Sequence, residues 1–68
     1  MTWRRLGEQI KKLRIQRGLT QQALAEKARL SRIYIAKLEA GERVSPSLPA
    51  LERIARALGV RVRVELVK

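Results

Sequence analysis

The side chains with the most distinctive chemistry share one face of a short predicted helix that begins after Ser31. Arg32, Ile33, Ala36 and Lys37 form this face, which carries two positive charges and no acid. A basic face of this kind suits a polyanionic partner. The spacing therefore predicts a binding surface on this helix.

Two short helices joined by a tight turn are predicted to hold this face in place. Thr20 and Ser31 are the expected N-caps, because their hydroxyl oxygens can accept from backbone N–H groups that are otherwise unpaired. Leu30 precedes the second cap and Ile35 lies at the fourth helical position, which is the spacing of a hydrophobic staple. Gly41 is placed to end the second helix.

This pair of helices resembles the Cro/cI-type (XRE-like) helix-turn-helix of bacterial and phage repressors. The matching residues are Leu19, Thr20, Gln21, Leu24, Ala25, Leu30, Ser31, Ile35, Leu38, Glu39, Ala40 and Gly41. The resemblance covers nearly the whole chain and implies a mainly α, four-helix lambda-repressor-like bundle. Arg29 departs from the family, which often has glycine in this turn. A left-handed Arg29 would cost about 1 kcal/mol or more relative to glycine.

The resemblance also implies which residues contact the bases of duplex DNA. Ser31, Arg32, Ile33 and Lys37 correspond to the base-contact positions of the family. Arg32 can donate two parallel N–H bonds to guanine, and Ile33 can meet a thymine methyl group. The alternative for Ile33 is packing within its own domain.

The resemblance also implies phosphate contacts from Gln21 and Arg43, and the hydroxyl of Tyr34 is expected to reach a phosphate as well. Gln21 begins the first helix of the motif, where free backbone N–H groups favour an anion. Arg43 lies in a loop rich in serine and proline, next to Glu42, which departs from the family and would repel a phosphate. The alternatives are an ordinary first-turn glutamine at position 21 and a base-contacting role for Tyr34, which is otherwise expected to be half-packed with its hydroxyl toward a phosphate.

The family pairs an arginine at the position of Arg14 with a glutamate at the position of Glu39. The resemblance therefore implies an ion pair that is largely shielded from water. Such a pair fixes geometry more than it adds stability, and the loss of one partner costs about 3–5 kcal/mol. The alternative is two solvated surface charges.

Apolar spacing and capping signals predict four helices within a DNA-binding domain of residues 1–59. The expected bounds are about Thr2 or Trp3 to Arg17, Gln21 to Ala28, Arg32 to Ala40, and Leu48 to Leu58. Gly7 is unusual inside a helix, and close packing against a neighbouring element is the reason we expect for it.

The last stretch of the chain changes to a two-residue period, which predicts a β-strand. Its apolar face consists of Val60, Val62, Val64 and Leu66. No other segment has the pattern of a partner strand, so residues 60–68 are expected to pair with the same strand of a second molecule. The alternative is a frayed tail.

Composition narrows the function further. The chain has 68 residues, with 16 basic and 6 acidic residues and a net charge of +10, which favours nucleic acid over an acidic membrane as partner. A basic composition can also reflect solubility or a heat-adapted source. Cysteine and histidine are absent, so a metal site, a cofactor and an enzyme active site are not expected. The chain has neither an apolar run of membrane-spanning length nor a signal peptide, and a cytoplasmic location is expected.

These observations favour a sequence-specific DNA-binding repressor that acts as a homodimer on a palindromic site. An antitoxin is the alternative, in which residues 60–67 pair with the sheet edge of a toxin protein. A cationic peptide that binds membrane surfaces ranks last, because the apolar stripes are narrow and glycines interrupt the helices.

Overall fold

The computed structural model describes residues 3–42 and 46–68. Within them, α1 spans Trp3–Gln16, α2 spans Gln21–Ala28, α3 spans Arg32–Glu39 and α4 spans Leu48–Leu58. The mainly α, four-helix fold is therefore confirmed. The first and third helices end one residue earlier than expected, at Gln16 and Glu39. No helix in the described residues is long and apolar enough to cross a membrane.

Hydroxyl caps set the first residue of each helix after α1. The side-chain oxygen of Thr20 accepts from the N–H of Ala23 at 3.0 Å, and that of Ser31 accepts from the N–H of Tyr34 at 3.0 Å. Ser47 caps α4 in the same way. Each bond satisfies a donor that the helix cannot pair internally, so the helices begin at defined residues.

The turn between α2 and α3 passes through Arg29, which is left-handed at φ 57° and ψ 45°. The N–H of Arg29 donates to the Glu26 carbonyl at 3.2 Å, and the N–H of Leu30 donates to the Ala25 carbonyl at 2.8 Å. These bonds satisfy the last carbonyls of α2, as they do in a helix that ends at glycine. Arg29 therefore adopts the left-handed conformation that is usual for glycine at this position, although it has a side chain.

The core is formed where α3 packs on α1 and α2, and α2 packs on α4. Its largest fully buried side chains are Leu24, Ile35, Ile54 and Leu58. A methyl group on Gly7 of α1 would overlap the carbonyl group of Leu38 in α3. The expected close packing at Gly7 is confirmed, and it brings α1 directly against the backbone of α3.

Residues 60–68 form neither helix nor strand in the structure. The predicted β-strand, with its apolar face of Val60, Val62, Val64 and Leu66, is thus absent from the single chain. The physical reason is that a strand exists only when a second strand pairs its backbone groups, and no other described segment does so. The segment instead lines a groove with α1 and α4, where Val60 and Val62 are half-buried.

The left-handed turn makes a prediction about stability. Replacing Arg29 by glycine should raise the free energy of unfolding by about 1 kcal/mol, because glycine adopts this conformation without the steric penalty of a β-carbon. Arg29→Ala is the matched control, since it removes the same side chain but keeps the β-carbon. Denaturation by urea measures both variants, and equal stabilities would show that the turn carries no strain.

Candidate nucleic-acid interface

The outward face of α3 is exposed, as its sequence spacing requires. Arg32, Ile33 and Lys37 are all exposed, and Ile33 keeps 61% of its accessible surface. On the opposite side of the same helix, Ile35 and Leu38 are buried in the core. Ile33 therefore does not pack within the domain, and the basic face around it is open to a partner.

Ser31 is exposed at the start of this face, and its side chain also caps α3. Its side-chain oxygen accepts the cap bond from Tyr34. The hydroxyl proton is not used in that bond, because a serine hydroxyl both donates and accepts. Ser31 can thus cap α3 and donate to a partner at the same time.

A shielded ion pair joins α1 to the end of α3. Nε of Arg14 donates to Oε2 of Glu39 at 2.7 Å, and Nη2 donates to Oε1 at 3.0 Å. Only 12% of the Arg14 side chain and 3% of the Glu39 side chain remain exposed. Nη1 of Arg14 also donates to the carbonyl of Leu19 at 2.7 Å. A single arginine thus connects α1, the α1–α2 loop and α3.

Gln21 joins the same cluster through a contact that the sequence does not predict. Its Nε2 donates to Oε1 of Glu39 at 3.1 Å. A carboxamide nitrogen carries two protons, so one N–H of Gln21 remains for another acceptor. The glutamine at the start of α2 is thereby oriented by the carboxylate at the end of α3. No local pattern signals this contact, because the two residues are 18 positions apart.

Tyr34 of α3 is half-buried where this helix packs against the rest of the domain. Burial raises the pKa of its hydroxyl above the ordinary value of 10.0, and the positive charge of Arg53 partly offsets that effect. A phenol whose pKa is at or above this ordinary value is protonated at neutral pH, so it can donate a hydrogen bond. The remaining predicted contact residue, Arg43, lies outside the described residues.

Comparison with known proteins identifies the family. A family model described as helix-turn-helix matches residues 10–64. The chain belongs to the XRE-like helix-turn-helix family. This assignment includes all of the exposed α3 face and most of the described chain.

Two curated relatives and one solved structure show how this helix-turn-helix protein compares. It is 53% identical over 57 residues to the immunity repressor protein of Bacillus phage phi105, covering 84% of this chain and 39% of that protein. It is 33% identical over 57 residues to the transcriptional regulator SinR of Bacillus subtilis, covering 84% and 51%. The crystal structure of the restriction-modification controller protein C.AhdI from Aeromonas hydrophila superposes with a TM-score of 0.82 at 32% identity, covering 87% and 88%. The chain thus spans about half or less of the two curated relatives.

Two further arginines of this helix-turn-helix protein serve the fold. Nε of Arg17 donates to the Leu58 carbonyl at the end of α4, and Nε of Arg53 donates to the Ala28 carbonyl at the end of α2, each at 3.0 Å. Both bonds satisfy carbonyls that a helix leaves unpaired at its C-terminus. Part of the net positive charge is therefore structural and cannot be counted toward a partner.

The Arg14–Glu39 pair makes a prediction about stability. Arg14→Met should lower the free energy of unfolding by about 3–5 kcal/mol, because it leaves the buried Glu39 carboxylate without its cation. The double variant Arg14→Met/Glu39→Leu is the control, and it should recover most of the loss because no unpaired charge remains. Chemical denaturation followed by circular dichroism measures both. A loss below about 1 kcal/mol in the single variant would mean that the pair behaves as a surface pair.

Proposed function

We propose that this helix-turn-helix protein binds double-stranded DNA in a sequence-specific manner and represses transcription as a homodimer. The observation that carries the proposal is the exposed, acid-free face of α3, which the buried Glu39 cluster fixes to the rest of the domain. Eight residues of α-helix extend about 12 Å, and the major groove of DNA is wide enough to admit a helix.

Base contacts are assigned to the exposed face of α3, from its N-cap Ser31 to Lys37 in the second helical turn. The Arg32 guanidinium has the two parallel donors that match O6 and N7 of guanine. Ile33, exposed between charged neighbours, offers an apolar contact to a thymine methyl group. Ser31 and Lys37 lie at the two ends of this face, where a hydroxyl and an ammonium group can donate to base or phosphate acceptors.

Phosphate contacts are assigned to groups that flank this face. The second N–H of the Gln21 carboxamide and the free backbone N–H groups of the first turn of α2 suit a phosphate oxygen. The protonated hydroxyl of Tyr34 supplies a further donor, and Arg43, which lies outside the described residues, is assigned a phosphate contact on the family resemblance alone. Because Gln21 is held by Glu39, which lies on α3, the phosphate contact and the base-contacting helix are fixed in one register.

The names of the relatives favour a repressor over an antitoxin. One relative is named as an immunity repressor and another as a transcriptional regulator. The family is one of transcriptional regulators rather than enzymes, and we propose that this protein acts on DNA in the cytoplasm. No feature of the described residues favours a toxin as partner, so the antitoxin stays an alternative without a specific observation behind it.

The C-terminal segment is assigned to dimerisation. Val64 and Leu66 continue the apolar face of Val60 and Val62 but are 70% and 100% exposed. The same face of a second copy is the simplest cover for them, and a two-fold axis would then relate two α3 helices. Half-sites about one DNA turn apart, near 34 Å, would be palindromic.

The base-contact assignment predicts the effect of removing Arg32. Arg32→Ala should weaken binding to the preferred site by about 1–3 kcal/mol and relax the preference at one base pair, because a bidentate contact to guanine is lost. Arg56→Ala removes the same charge from an exposed position on α4 and is the matched control. Fluorescence anisotropy with a panel of single-base-pair variants measures the effect. Equal affinity of Arg32→Ala and wild type for every duplex would contradict the assignment.

The dimerisation assignment predicts the effect of truncation. Removing residues 63–68 keeps the half-buried Val60 and Val62, so the domain should stay folded while sedimentation shows a monomer. Affinity for a palindromic duplex should fall, whereas affinity for a single half-site should stay unchanged, because α3 is untouched. A truncated chain that still sediments as a dimer would show that another surface forms the dimer.

A further inference from the structure

We infer that the C-terminal segments of two copies pair as antiparallel strands in one register, with Val64 opposite its own equivalent on the two-fold axis. The inference rests on the proposed homodimer and specifies which residues meet in it. It is carried by the exposure of the segment, its unpaired backbone and the order of its charges.

The backbone of residues 61–68 is free to pair. The N–H of Val60 donates to the Ala55 carbonyl at 2.9 Å, which completes the end of α4. Beyond Val60, the segment forms no backbone hydrogen bond with the described parts of the chain. Backbone groups that are unpaired along an extended segment are a template for a second strand.

If the segment pairs as a strand, its alternation sets the charged residues on the face opposite the valines. That face carries Arg61, Arg63 and Glu65, and Nη2 of Arg63 lies 2.5 Å from Oε1 of Glu65 in the same chain. Arg63 and Glu65 are largely exposed, so both can take additional partners. In an antiparallel pair, residues directly opposite each other point to the same face, and their side chains interact. The positions of the charges therefore determine which register of the two strands is more stable.

Only registers that match like faces bury the apolar residues. If the two-fold axis passes between two consecutive residues, even-numbered residues lie opposite odd-numbered ones. Each apolar side chain then lies opposite a charged one, and the apolar faces of the two strands are on opposite sides of the sheet. The axis must therefore pass through a residue. An axis through Val64 sets Val62 opposite Leu66, and Arg63 opposite Glu65, of the second copy.

Axes through Val62, Arg63 and Glu65 place like charges opposite each other, whereas an axis through Leu66 sets Glu65 against Val67 and loses the Arg63–Glu65 pair. An axis through Val62 sets Arg61 against Arg63 twice, an axis through Arg63 sets that arginine against itself, and an axis through Glu65 does the same for the glutamate. Like charges directly opposite each other destabilise a pair of strands. With the axis at Val64, Arg63 faces Glu65 of the second copy at two symmetric positions, and the four charges alternate in sign.

The same register accounts for the most exposed apolar residue of the segment. Leu66, which is fully exposed in the single chain, lies opposite Val62 of the second copy. Val62 lines the groove between α1 and α4, together with Leu6, Ile10 and Leu51. The pairing therefore brings the leucine of one copy to the edge of the apolar groove of the other.

Disulfide cross-linking tests the register directly, because the natural chain has no cysteine. Val64→Cys should form a covalent dimer under mild oxidation, since opposite residues of antiparallel strands have α-carbons about 4.5–5.5 Å apart, within disulfide reach. Leu66→Cys is the matched control and should stay monomeric on a non-reducing gel. Its two copies lie four residues apart along the strands, about 13 Å. A mixture of Val62→Cys and Leu66→Cys should cross-link. Equal cross-linking of Val64→Cys and Leu66→Cys, or none by Val64→Cys, would overturn the register.

Charge reversal provides a second measurement by sedimentation equilibrium. Arg63→Glu and Glu65→Arg should each raise the dimer dissociation constant about tenfold, because each turns two attractive pairs into repulsive ones. The double variant, and an equimolar mixture of the two single variants, should restore dimers. Arg61→Glu makes the same charge change opposite Val67 and should have little effect. An equal effect of Arg61→Glu and Arg63→Glu, or no restoration, would refute the pairing.

Failure of this inference can be told apart from failure of the proposed function, because both experiments use protein without DNA. If Val64→Cys cross-links but the protein selects no duplex sequence, the pairing stands and the DNA-binding function fails. If Val64→Cys does not cross-link while the intact chain binds a palindromic duplex as a dimer, the function stands and the register is overturned.

Discussion

The carboxylate of Glu39 holds together the three helices that surround the exposed basic face of α3. It lies at the end of α3 and accepts two hydrogen bonds from Arg14 of α1 and one from Gln21 of α2, at 2.7, 3.0 and 3.1 Å. A buried charge is costly unless its hydrogen bonds are satisfied. Its value here is geometric, since three helices can meet at one carboxylate only in a narrow range of positions. The Glu39 cluster thus fixes the orientation of α3 relative to α1 and α2.

Helix caps, one close contact between helices and one turn also fix the positions of α2 and α3. Hydroxyl caps at Thr20 and Ser31 set where α2 and α3 begin, and Gly7 lets α1 approach the backbone of α3. The turn at Arg29 accepts a left-handed residue to keep the angle between α2 and α3. In a chain of 68 residues with a small core, these local devices replace the packing that a larger domain would use.

Local sequence signals predicted the elements of this structure well but not the contacts between distant residues. The caps at Thr20 and Ser47 depend only on neighbouring residues, so the bounds of α2 and α4 agree with expectation. The bonds from Gln21 to Glu39 and from Arg17 to Leu58 depend on the packing of whole helices, and no spacing encodes them. The C-terminal alternation predicted a strand, but an alternating pattern supplies one face and not the partner that a strand requires.

We propose above all that the outward face of α3 lies in the major groove of DNA. Methylation interference on a duplex selected from random sequences tests it most directly, because dimethyl sulfate marks guanine N7 in the major groove and adenine N3 in the minor groove. The account predicts that methylation of guanine N7 within the site prevents binding, while methylation of adenine N3 is tolerated. Interference from adenine N3 alone would place the protein in the minor groove and contradict the account.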